Sequence, residues 1–80
     1  AGVAADNAAV EVKPSDIPGH PLPLHSVAQP YMGLLLGEAF VLENLADDCA
    51  GDGRYEFLFV APPLPITGGL GSPTNPYAVK

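Results

Sequence analysis

The sequence predicts a small α/β arrangement, and three stretches carry that prediction. Arg54-Tyr-Glu-Phe-Leu-Phe-Val-Ala61 is rich in aromatic and branched residues and apolar on both sides of its alternation. That is the pattern of a strand covered on both faces. Ala39 to Ala50 carries Leu42, Leu45, Ala46 and Cys49 at three- and four-residue steps, with Glu43, Asn44, Asp47 and Asp48 opposite. Such spacing predicts an amphipathic helix, stopped by Gly51 and Gly53. Gly2-Val-Ala-Ala-Asp6 is a short apolar run that turns polar at Asp6-Asn7, as a buried strand does where it leaves a sheet.

The remaining segments fit around these. Ala8 to Val12 reads as a short extended or turn segment, with Glu11 and Lys13 alternating against Val10 and Val12. Pro14, Pro18, Pro21 and Pro23 argue against a helix anywhere from Pro14 to Leu24, because proline lacks the amide proton and restricts its neighbour. This segment is expected to travel over a surface and deliver His25. A short helical turn follows from His25 to about Tyr31, closed by Pro30 or Gly33. Leu34 to Leu36 then form a buried strand or turn. Pro62-Pro63 ends the Arg54 strand. Thr67 to Pro73 is a glycine-rich turn, and Asn75 to Val79 is a final short strand.

Size and charge restrict what such a chain can do. Its 80 residues allow at most one domain, and ten prolines and nine glycines confine regular structure to short elements. Hydrophobic residues make up 48% of the chain, more than a disordered tail carries. A domain this small buries only about 60 to 65% of its unfolded surface. The first residue is Ala rather than Met. Together these points suggest a piece of a larger protein whose remainder covers apolar surface. The net charge of −6, with Lys13, Arg54 and Lys80 as the only bases, repels phosphate backbones and argues against nucleic-acid binding. No apolar run reaches the eighteen or so residues that span a bilayer, and no signal-peptide pattern is present. A single cysteine, Cys49, excludes an internal disulfide and a thiolate zinc cluster, so a reducing, cytoplasmic setting is expected.

The residues that carry chemistry are few. His25 and Glu38 stand at the two ends of an otherwise apolar run, and a carboxylate beside a leucine cluster is costly unless something positive meets it. We expect the two to converge on a divalent metal. The simpler readings are a loop histidine bonded to a backbone carbonyl and an acid at a helix N-terminus. Glu43 is the rival ligand, although it falls on the polar helix face. His20 is a loop residue, Asp6 is a turn or cap residue at a strand end, and Cys49 is a small core residue. The Gly68 to Pro73 loop lacks the lysine and spacing of a phosphate loop, and no nucleophile elbow is present.

In order, Ala4-Ala-Asp-Asn7, Glu11-Val-Lys-Pro14, Leu24-His25, Gly37-Glu38 with Leu42-Glu-Asn-Leu45, Gly53-Arg-Tyr-Glu-Phe-Leu-Phe59, Pro63-Leu64, Gly68 to Pro73 and Asn75-Pro76 resemble the C-terminal part of the cyclase family. These are metal-dependent hydrolases related to kynurenine formamidase and isatin hydrolase. The resemblance spans nearly the whole chain. It implies the C-terminal part of a swivelling β/β/α domain, with zinc or manganese as the metal. It also implies an N-terminal His-x-Gly-Thr-His-x-Asp motif, absent here, that binds most of the ion. By that resemblance His25 and Glu38 complete the metal site, and the catalytic base lies outside this chain. The fragment alone would be inactive. The implied substrate is a small-molecule amide, formamide or cyclic amide, and the implied assembly is a homo-oligomer. Two other classes stay open at this point: a small acidic interaction module docking through the Pro14 to Pro23 segment, and a purely structural C-terminal subdomain with no ligand.

Overall fold

A computed structural model describes residues 1–80. It is a mixed α/β structure whose elements run β1 (Gly2–Ala4), α1 (Pro23–Met32), β2 (Leu35–Gly37), α2 (Glu43–Asp52), β3 (Leu58–Val60) and β4 (Tyr77–Val79). The chain divides into two compact units, Ala1–Asn44 and Leu45–Lys80. No helix is long and apolar enough to cross a membrane.

In the first unit β1 and β2 pair in parallel, with Gly2 opposite Leu35, Val3 opposite Leu36 and Ala4 opposite Gly37. Parallel neighbours need a long crossover, and here it holds the proline-rich segment and α1. The ladder continues past the strand ends. Ala5 donates to the Gly37 carbonyl at 3.0 Å, Phe40 to Ala5 at 3.0 Å and Ala39 to Asn7 at 2.8 Å.

Helix α1 is longer than the sequence predicts, because both prolines read as breakers are accommodated. Pro23 occupies the first turn, where an amide proton has no helical partner in any case. Pro30 lies inside the helix and gives up one bond, to the Ser26 carbonyl. Gly33 ends the helix with a left-handed backbone, φ 61°. Its N–H donates to Gln29, and that of Leu34 donates to Ala28. Ala28 is fully buried on this helix, and Ala9 is the other buried apolar residue of this unit. Leu35 was expected inside but is 76% exposed. Only Leu34 and Leu36 are half-buried, as alternation about a short strand requires.

Helix α2, most of which belongs to the second unit, lies further along than predicted. It starts at Glu43 rather than Ala39, because Ala39 takes a left-handed φ of 54° that no helix admits. It runs through Gly51 to Asp52, and the N–H of Gly53 closes onto the Cys49 carbonyl at 2.8 Å. Cys49 is the buried residue here. Near the C-terminus of α2 the acids would oppose the helix dipole, and Lys80 meets them. Its Nζ lies 2.7 Å from Asp48 Oδ2 and 2.9 Å from Asp52 Oδ1. Those contacts, Asp48 first, raise the lysine well above its usual range against partial burial.

The predicted Arg54–Ala61 strand shrinks to Leu58–Val60, paired antiparallel with Tyr77–Val79. A ladder is only as long as its partner, and β4 offers three residues. The expected cover on both faces is not found either, since every residue of β3 and β4 is exposed. The glycine-rich turn is as expected. Gly68 takes φ 71°, and Ser72 Oγ accepts the Leu64 N–H at 2.7 Å while donating to the Pro73 carbonyl.

Candidate functional site: a histidine between two carboxylates

His25 is the third residue of α1, and its ring lies between two acids. Nδ1 is 2.6 Å from Glu11 Oε1, and Nε2 is 3.0 Å from Glu38 Oε1. Each partner is fixed by backbone. Glu38 follows the last ladder residue of β2. Gly37 before it accepts from Ala5, and Ala39 after it donates to Asn7. Glu11 is held by the helix itself: Oε2 accepts the Leu24 N–H at 2.8 Å and Oε1 the His25 N–H at 3.1 Å. The first amides of any helix lack internal acceptors. Leu22, the residue before α1, supplies no side-chain bond to them. Glu11 therefore caps the helix from across the loop and places negative charge at its positive end.

Two backbones nearby lie in a region that non-glycine residues seldom adopt. Val10 has φ 60° and Ala39 has φ 54°. One precedes Glu11 and the other follows Glu38, so both bends aim the acids that flank His25. Left-handed backbone costs about 1–2 kcal/mol per residue.

The electrostatics follow from this geometry. The Glu11 bond, first, and then the Glu38 bond push the His25 imidazole above its ordinary value, with partial burial opposing them. For Glu11 burial is the largest single influence and acts upward. The bonds from the His25 ring, Leu24 and the His25 amide outweigh it, and the carboxyl is lowered.

A neutral imidazole has one ring proton. With that proton given to Glu11, Nε2 turns a lone pair towards a carboxylate oxygen only 3.0 Å away. Two lone pairs at that distance repel unless a proton or a metal ion lies between them. Two donors about 2.1 Å from a tetrahedral ion stand about 3.4 Å apart, so the His25 and Glu38 atoms need little movement to share one. They are two of the three or more protein ligands that zinc takes. Glu11 is not a third, since it occupies the opposite ring nitrogen, and the chain assembles no group of three such side chains able to surround an ion.

Sequence reasoning singled out His25 and Glu38, and the structure brings them together. It joins Glu43 to neither; that residue opens α2 on its exposed face. His20 and Asp6 are exposed, and neither side chain bonds to the pair. Glu11 was missed as a functional residue. An open cavity of about 500 Å³ lies in the proline-rich loop, between Lys13 and Pro21, and includes neither His25 nor Glu38.

No family model matches the chain, and no curated protein does. A solved structure is similar: a crystal structure described as that of a novel cyclase is 52% identical, with a TM-score of 0.84 over 99% of this chain. That protein is much longer, and the chain spans 24% of it. The likeness supports the cyclase family at that coarse level.

Proposed function

From this likeness to a cyclase, we propose that the chain forms part of a metal-dependent hydrolase of the cyclase family, with His25 and Glu38 as two ligands of a zinc or manganese ion. The reaction is hydrolysis of a C–N bond in an amide, formamide or cyclic amide, as in arylformamidases and isatin hydrolases. The observation that carries this reading is the 3.0 Å approach of His25 Nε2 to Glu38 Oε1.

A bound divalent ion supplies water with a pKa near 7 and polarises a carbonyl. Toward that chemistry His25 offers a ring nitrogen, and Glu38 adds negative charge that retains a cation. The remaining ligands and the catalytic base come from further polypeptide. The exposed apolar residues of β3 and β4 suit burial against such polypeptide or a second copy. The interaction-module alternative has less support. The Pro14 to Pro23 segment is a series of bends, with His20 donating back to Ile17. A polyproline ligand is extended.

The test is Glu38→Gln in the full-length protein, beside Glu43→Gln. Metal content and amide hydrolysis should collapse in the first and persist in the second. Unchanged metal occupancy and rate in Glu38→Gln would refute the ligand assignment.

A further inference from the structure

We propose that Glu11 is the positioning residue that decides which nitrogen of His25 faces Glu38, and that it does so by capping helix α1. The inference rests on the metal-ligand reading above and concerns how that ligand is made ready.

Two carboxylates compete for the one ring proton of neutral His25. Glu11 is nearer, at 2.6 Å against 3.0 Å. It is also drier, its side chain 10% exposed against 42% for Glu38. Charge-assisted bonds are stronger where water is scarce. Moreover, Glu11 cannot turn aside. The oxygen that takes the ring proton also accepts the His25 amide, and its other oxygen accepts the Leu24 amide. Rotating the carboxylate would strip the start of α1, where Leu22 offers no replacement. Glu38 has no such duty to a helix. The proton therefore stays on Nδ1, and the Nε2 lone pair stays open on the Glu38 side.

Without Glu11 the outcome reverses. The proton moves to Nε2, Glu38 accepts it, and the nitrogen that a cation needs is blocked. A carboxylate that fixes the tautomer of a ligating histidine typically contributes about 10- to 100-fold in metal affinity. Helix geometry and ligand readiness are thus set by the same three bonds.

The test uses the full-length protein carrying 15N-labelled histidine, free of metal, above the pH at which His25 titrates. The two ring-nitrogen shifts report the tautomer, and zinc affinity is read by competition with a chromophoric chelator. Glu11→Ala removes both cap and charge. Glu11→Gln keeps an acceptor for the helix amides, so it separates a folding defect from a change of tautomer. The wild type should carry its proton on Nδ1. Both variants should shift population to Nε2–H, and zinc affinity should fall about 10- to 100-fold. An Nε2–H wild type, or a tautomer unmoved in both variants, would overturn the proposal. If the tautomer follows Glu11 while wild-type protein binds no zinc, the positioning role stands and the metal reading falls.

Discussion

The Phe40 ring covers Gly37 so closely that a methyl group on that glycine would lie 2.9 Å from Phe40 Cζ. The same methyl would lie 3.0 Å from Ala4 Cβ on the neighbouring strand. Glycine is needed there because the ring and the strand leave no room. Gly37 pairs with Ala4 and precedes Glu38, so its neighbourhood sets where that acid emerges.

Replacing Gly37 by Ala should therefore destabilise the protein by about 1–3 kcal/mol, the usual range for overpacking. It should also displace Glu38. Chemical denaturation of the variant against wild type measures the first effect. A midpoint unchanged within error would mean that Phe40 moves aside freely.

The acid–imidazole contact predicts a pH window. Glu11 is lowered from an ordinary value of 4.5, so its contribution is present above that pH and is lost as pH falls through the lowered value. His25 is raised from 6.5, so its contribution is complete below 6.5 and is lost as pH rises through the raised value. Both act together between about pH 4.5 and about pH 6.5. The difference in thermal midpoint between wild type and Glu11→Gln should be largest in that window and narrow at alkaline pH. A difference that stays constant into the alkaline range would contradict the assigned bonds.

Lys80 ties Asp48 to Asp52 across one turn of α2. Its replacement by Met should loosen the last helical turn, so the Gly53 amide, bonded to Cys49, should exchange severalfold faster with deuterium. Molar salt shortens the screening length to about 3 Å. It should raise the wild-type exchange rate toward that of Lys80→Met and leave the variant nearly unchanged. Equal rates for the two proteins at low salt would show that the lysine does not secure the helix end.

Parts of this structure were readable in the residue order, and the exceptions have identifiable causes. The Leu45–Cys49 helix face follows from apolar spacing, which burial enforces directly. The Gly2 run does form a strand, but Gly2, Val3 and Ala4 are all exposed, contrary to the buried strand its apolar composition predicts. The Arg54 strand was overextended because β-propensity describes a side chain's suitability and not the length of its partner. Helix α1 was cut short because Pro23 and Pro30 were read as breakers, although the first turn tolerates proline. His25 and Glu38 stood out as polar residues at the ends of an apolar run. Glu11 did not, since no local spacing shows that a loop returns to a helix thirteen residues on. One signal was present: α1 opens after Leu22 without Ser, Thr, Asp or Asn, so its first amides need an acceptor from elsewhere. Glu11 was a solitary acid in an apolar stretch and could supply it.

Val10 and Ala39 bend the main chain in a direction most side chains resist, each beside an acid that flanks His25. Selection for heat resistance would find easy gains by placing glycine at either corner. The same exchange would slacken the aim of the neighbouring acid. Endurance and a firm hold on His25 are therefore set against each other at those two corners.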